Sequence, residues 1–111
     1  LPWWEGARCG SVRDARLGLL DFGPGGHPAA HLDGLLLATA QDLAWDTGYS
    51  GWHLYDHDIC EQQLVAGREN WCLAGGHRLV AHNTTGSTRT DQLDGWQAGV
   101  DRFRLKWGDD A

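Results

Sequence analysis

The carboxyl-terminal part of the chain carries the most regular apolar pattern in the sequence. Five large apolar side chains recur there at intervals of three and four residues: Leu93, Trp96, Val100, Phe103 and Trp107. This spacing places them on one face of a helix over about residues 91–106. Gly95 and Gly99 lower its intrinsic helix propensity by roughly 1 kcal/mol each. Each buried large side chain contributes about 1.5–3 kcal/mol, so we expect a helix docked on the domain, with both tryptophans in the core.

Composition limits the classes of protein that the chain could belong to. Its 111 residues suit one small domain, 1–111, of ordinary globular composition. The net charge of −6 argues against nonspecific nucleic-acid binding, which depends on basic side chains. The longest apolar run, near residues 35–38, is far shorter than the roughly 18 residues of a membrane span. We therefore expect no nucleic-acid partner and no membrane span.

The start of the chain and its cysteines suggest a compartment. The chain begins with Leu1 and contains no Met, which predicts a processed product or a piece of a longer one. It shows no basic segment before an apolar stretch, so we expect no signal peptide. Cys9, Cys60 and Cys72 are odd in number and lack CxxC spacing, which favours reduced thiols in a cytoplasmic protein over a disulfide framework or a four-cysteine zinc site.

The amino-terminal part is predicted to be mostly irregular. Glycines and prolines interrupt residues 1–31, where only 16–22 suggests a strand. A short apolar run over 31–39 predicts a buried strand.

The middle of the chain predicts one helix followed by two strands. The helix covers residues 56–67, with Asp58 at its N-cap. Two short strands, 71–74 and 78–82, are separated by a glycine pair that is typical of a tight turn. Together these elements predict an α/β fold with a short mixed sheet, an internal helix and a docked carboxyl-terminal amphipathic helix.

The densest polar cluster lies at the start of the internal helix and comprises His53, Asp56, His57 and Asp58. Two carboxylates in Asp-x-Asp spacing suit a hard divalent cation. A carboxylate at this position also suits a general base that acts on a hydroxyl. The alternatives are a small metal site built from all four residues, or a structural role in which Asp58 caps the helix and the histidines are solvated.

Residues outside this cluster are further candidates. Asp33 interrupts an apolar run, where a carboxylate is costly to bury unless it is bonded, so it has either a structural or a substrate-facing role. His82 ends an apolar strand as either a surface residue or a ligand. Trp45, Trp52 and Trp71 lie near the polar cluster and either pack in the core or stack on a sugar ring.

The order and spacing of several short segments suggest a family. These segments are 32–39, 45–46, 51–60, 66–67, His82, 86–87 and 103–108. Together they resemble the carboxyl-terminal half of nucleotide-sugar glycosyltransferases. The set is most similar to the glycosyltransferase-like group that includes a streptomycin-biosynthesis protein, beside the inverting family-two enzymes of GT-A fold. The resemblance covers residues 32–108 and implies a partial GT-A-like domain.

The resemblance implies roles for five residues. Asp56 takes the place of the base that deprotonates the acceptor hydroxyl. Asp33 and Trp52 line the substrate site, and Asp58 and His82 contact a divalent metal, Mn or Mg, or the diphosphate. Such an ion would neutralise the leaving diphosphate.

One departure from the family alters the predicted function. The nucleotide pocket and metal-binding Asp-x-Asp of GT-A folds come from an amino-terminal half that this sequence does not contain. We therefore expect the chain to be the acceptor-side portion of a glycosyltransferase-like protein that transfers a sugar to a hydroxyl with inversion. Without the nucleotide-binding half, we expect this portion to be inactive alone. The alternative is a noncatalytic sugar-binding or self-associating module, since a missing half would expose apolar surface that favours a homo-oligomer.

Overall fold

The protein is described by a computed structural model that covers residues 8–33, 37–49, 53–83 and 90–108, without the side chains of 90–94. Within these ranges the chain forms short strands and two α-helices. In order they are β1 (Ser11–Asp14), β2 (Gly18–Asp21), β3 (His27–Ala29), α1 (Tyr55–Val65), β4 (Asn70–Cys72), a 3₁₀ turn (Gly76–Arg78), β5 (Ala81–His82) and α2 (Thr90–Trp107).

The first sheet is mixed, with strand order β2-β1-β5. β1 pairs antiparallel with β2 and parallel with β5. Asp14 closes the β1–β2 hairpin, because its buried carboxylate accepts hydrogen bonds from the backbone N–H groups of Arg16 and Leu17 at 2.8 and 2.9 Å. Gly18 follows with a φ of 82°, which favours glycine.

The second sheet pairs β3 with β4 in antiparallel register. Asn70 fixes this sheet to α1, since its side-chain amide donates to the carbonyl oxygens of Ala30 and Cys60 at 3.0 and 3.1 Å. Asn70 is itself buried, so these bonds satisfy a polar group that would be costly to leave unpaired.

The apolar core lies where α2 meets the segment before α1. Its buried members are Tyr49, Leu54, Val100 and Phe103, with Tyr55 and Trp107 packed against them. Leu54 precedes α1 in the left-handed region, with a φ of 67°. A Cβ at Gly99 would lie 3.2 Å from Cδ2 of Leu54, so glycine allows α2 to approach this turn closely.

The expected fold is confirmed at the level of a small mixed α/β protein with two short sheets and two helices. The internal helix and the carboxyl-terminal helix both form close to their predicted bounds. Of the predicted stripe on α2, Val100 and Phe103 are buried. Within the parts of the chain that the structure describes, neither helix combines the length and hydrophobicity needed to cross a membrane.

Several local predictions about the strands are wrong. Part of the supposedly irregular amino-terminal segment forms β1 and β3, because their partners lie elsewhere in the sequence. The described residues of 31–39 carry no strand. The two strands predicted after α1 do form, as β4 and β5, but they lie in different sheets, since β4 pairs with β3 and β5 pairs with β1.

Two predictions about individual side chains are also wrong. Trp96 is 41% exposed rather than a core residue, because it lies one helical turn before Gly99 and Val100, where the buried part of α2 begins among the described residues. Asp58 does not cap α1, because the helix begins at Tyr55 and the backbone N–H of Asp58 already donates to the carbonyl of Leu54 at 2.9 Å.

Candidate functional site

A cleft of about 410 Å³ lies between the two sheets and is called here the central cleft. It combines apolar side chains with imidazole, carboxylate and thiol groups. Its lining residues are Cys9, Gly10, Ser11, Val12, Phe22, His31, Leu32, Asp33, Trp71, Cys72, Leu73, Gly76, Leu79, Val80 and His82. Concave surfaces that are largely apolar and carry a few convergent polar groups are typical of small-ligand sites.

The central cleft contains two of the predicted site residues. Asp33 lines it from the segment after β3, and His82 lines it from β5. His82 is positioned by Asp14, whose Oδ2 lies 3.1 Å from Nδ1 of the imidazole. The fold therefore places a carboxylate and an imidazole, which are far apart in sequence, on the walls of one cleft.

Trp71 lines both the central cleft and a second cleft of about 420 Å³. Its side chain belongs to β4 and is 54% exposed. The second cleft is more apolar, and its walls include Leu37, Leu43 and Trp45. An exposed indole beside polar groups suits contact with a ligand that has both apolar and hydroxyl surfaces.

Asp56 occupies the first turn of α1 and is largely buried. Its Oδ1 accepts the backbone N–H of His57 at 2.9 Å and lies 3.7 Å from Nε2 of the same residue. Asp56 is not among the described residues that line either cleft. Its predicted role as a base stays a prediction, and Trp52 lies outside the described residues.

Asp58 is fully buried between α1 and α2. Its carboxylate accepts hydrogen bonds from the side chains of Tyr49 at 3.2 Å, Gln62 at 3.0 Å and Trp107 at 2.7 Å. Lys106 adds an ion pair at 2.9 Å. These contacts join two helices and a loop, which is a structural role that residue spacing alone did not indicate.

Two histidines pack together beside α1. The rings of His31 and His57 are 5.2 Å apart, and Nε2 of His31 lies 2.9 Å from Oε2 of Glu61. Burial lowers the pKa of His57 to about 4; the charge of His31 also lowers it, whereas the negative charges of Asp56 and Asp33 oppose the shift. His57 is therefore neutral at pH 7.

The structure also brings together a serine and a histidine that the sequence did not suggest as a pair. Oγ of Ser11 lies 2.7 Å from Nδ1 of His77 and accepts the backbone N–H of His77 at 3.3 Å. The second bond fastens the 3₁₀ turn to β1. No sequence motif links these residues, because they come from elements far apart in the chain.

Divalent metal binding stays a prediction. Asp58 contacts Lys106 and Trp107, whereas His82 contacts Asp14. Among the described residues, no three or more His, Cys, Asp or Glu side chains are arranged to hold a metal ion.

Comparisons with known proteins add no relative to this picture. No family model, curated protein or solved structure matches the chain.

Proposed function

We propose that the chain is a noncatalytic sugar-binding module whose ligand lies in the central cleft. One observation carries the proposal: an exposed indole, Trp71, lines the same cleft as Asp33 and His82. Sugar rings present apolar C–H faces that pack on indole rings and hydroxyl groups that bond to carboxylates and imidazoles. The three side chains supply these two kinds of contact.

The burial of Asp56 favours binding over catalysis. A general base needs to reach the proton that it removes, within about 2.6–3.2 Å or through one water. The Asp56 side chain is only 12% exposed and already accepts the N–H of His57. Sugar transfer by this chain, with Asp56 as base and a manganese or magnesium ion held by Asp58 and His82, is the second candidate.

One observation supports that second candidate. The charges of Asp56 and Asp33 both help to raise the pKa of Tyr55, after burial as the largest cause. The two carboxylates thus act on the same phenol, and Asp33 lines the central cleft. Asp56 and a carboxylate of the cleft wall therefore interact electrostatically with one side chain, which supports transfer as the second candidate.

The test is a titration of the full chain with neutral hexoses, N-acetylhexosamines and their nucleoside-diphosphate conjugates, followed by amide chemical shifts. We expect shifts at residues lining the central cleft with at least one sugar, and at least tenfold weaker binding by Trp71→Ala. Trp96→Ala is the matched control, since Trp96 is also exposed but lies on α2 outside both clefts. Equal weakening by both variants, or no shifts with any sugar, would contradict the proposal.

The transfer candidate has its own measurement. The chain would be incubated with nucleoside-diphosphate sugars, a manganese salt and a hydroxyl acceptor, and released nucleoside diphosphate would be assayed. Release that Asp56→Asn abolishes would favour transfer. Sugar binding without release favours the noncatalytic module.

A further inference from the structure

Two cysteine thiols meet at one wall of the central cleft. Cys9 lies two residues before β1, and Cys72 ends β4, so the pair comes from distant parts of the chain. Both are partly exposed and line the central cleft, whereas Cys60 is buried in α1. Small solutes that enter the cleft therefore reach both thiols.

The structure places the Cys72 sulfur beside the backbone that carries Cys9. A Cβ built on Gly10, the residue next to Cys9, would lie 2.9 Å from Sγ of Cys72. Burial and a side-chain hydrogen bond with Cys9 raise the pKa of the Cys72 thiol to about 11. The Cys72 sulfur thus lies next to the residue that follows Cys9, and the side chain missing at Gly10 leaves room for it.

Backbone hydrogen bonds hold both cysteines in position. Gly10 donates to the carbonyl of Gly23 and accepts from Phe22, each at 2.9 Å. The carbonyl of Cys72 accepts the N–H of Gly26 at 2.7 Å. Both cysteines are therefore anchored to the same connecting segment between β2 and β3, which limits how far they move apart.

We propose that Cys9 and Cys72 form a reversible intramolecular disulfide in the presence of a peroxide. The Cys9 thiol first loses its proton, and the thiolate then attacks one oxygen of the peroxide. The O–O bond breaks, Cys9 becomes a sulfenic acid, and the departing hydroxide takes up the proton that the thiol lost to give the first water. The second thiol then attacks the sulfenic sulfur, the S–O bond breaks, and a second water leaves. Two thiols and one hydrogen peroxide thus give one disulfide and two waters.

This bond would connect the two sheets. Cys9 leads into the three-stranded sheet and Cys72 belongs to the two-stranded sheet, and the central cleft lies between them. A disulfide would therefore fix the separation of the cleft walls. The inference concerns the thiols alone, and its test does not depend on whether the cleft binds a sugar.

Tryptic digestion separates the three cysteines, because cleavage after arginine places them in fragments 9–13, 17–68 and 69–78. The full chain would be treated with hydrogen peroxide, alkylated, digested without reduction and analysed by mass spectrometry. We expect fragment 9–13 joined to 69–78 in most chains, a mass lower by two hydrogens, and full reversal by dithiothreitol. Cys60 should be recovered in its alkylated form.

Two variants sharpen the test. Cys60→Ser should form the same linked fragments, and Cys72→Ser should lose them and leave Cys9 as a sulfenic or more oxidised acid. The inference is overturned if fragment 17–68 takes part in the linkage, if the linked species is a dimer on a nonreducing gel, or if peroxide leaves Cys9 and Cys72 unlinked.

Discussion

The indole N–H of Trp107 donates to the carboxylate of Asp58 at 2.7 Å, and this bond joins the end of α2 to the first half of α1. Lys106 pairs with the same carboxylate and also reaches Asp46 at 3.0 Å. Partial burial alone would lower the pKa of Lys106, but its hydrogen bonds and charge contacts with Asp58 and Asp46 raise it. The two helices are thus connected by charge as well as by apolar packing.

Replacing Asp58 should destabilise the fold strongly. Asp58→Asn removes the charge opposite Lys106 and leaves fewer acceptors for three other side-chain donors. Breaking a buried, hydrogen-bonded ion pair from one side costs several kcal/mol, and we expect a loss of about 2–4 kcal/mol in urea unfolding. Asp101→Asn is the control, since Asp101 is exposed and bonds only with Gln97 among the contacts described. Losses of similar size in both variants would contradict the role of Asp58.

Two glycines of α2 should respond in opposite ways to alanine. A Cβ at Gly99 would lie 3.2 and 3.3 Å from Cδ2 and Cβ of Leu54, closer than ordinary packing. A Cβ at Gly95 would lie 3.5 Å from Cδ2 of His53, an ordinary contact. We expect Gly99→Ala to lose about 1 kcal/mol despite better helix propensity, and Gly95→Ala to gain about 0.5–1 kcal/mol. Thermal unfolding of both variants would test this, and stabilisation by Gly99→Ala would contradict the close approach.

His57 should make stability depend on pH below neutrality. Its folded pKa of about 4 lies below its ordinary value of 6.5, so the unfolded chain binds a proton first as pH falls. The contribution of His57 to the free energy of unfolding is therefore fully present above about pH 6.5. It is lost as the pH falls from about 6.5 to 4, and the loss is at most roughly 3 kcal/mol. The measurement is urea unfolding from pH 4 to 7.5 for the native chain and His57→Gln. The difference between the two curves isolates His57 from the carboxylates, and parallel curves would contradict the prediction.

Replacing Asp14 should destabilise the fold more than replacing Asp21, a second aspartate of the same hairpin. Asp14→Ala removes the acceptor of two backbone N–H groups and the partner of His82. Asp21→Ala removes one exposed bond, to the N–H of Gly23 at 3.0 Å. We expect a loss of about 2–3 kcal/mol for the first and below about 1 kcal/mol for the second. Amide exchange in β1, β2 and β5 would locate the effect, and equal losses would contradict it.

The helices could be predicted from the sequence because their information is local. The stripe that ends at Phe103 and Trp107 has helical spacing, and burial of Phe103 confirms that the stripe faces the core. The first turn of α1 was placed within one residue of its observed start.

The strands were predicted only in part. The predicted strands 16–22, 71–74 and 78–82 overlap β2, β4 and β5, whereas β1 and β3 were missed. The strands have two to four residues each, too few for an alternating pattern to emerge. Their pairing also depends on distant partners, such as Asp14 with His82 across β1 and β5.

The candidate site shows the same limit. Asp33 and His82 were singled out because a carboxylate and an imidazole stand out beside apolar runs. That they line one cleft follows from sheet topology and not from spacing. Asp58 was interpreted as a cap because it lies near the predicted start of the helix. Its partners Lys106 and Trp107 are too remote in sequence for spacing to reveal them.

The backbone of Leu54 has a consequence for how the domain unfolds. A left-handed leucine is unfavourable by about 1–2 kcal/mol by itself, and here its side chain is held beneath α2. If α2 detached, that restraint would vanish, and the entry to α1 would relax together with the turn that carries Asp56 and His57. Loss of the carboxyl-terminal helix should therefore melt the beginning of the internal helix in the same cooperative step.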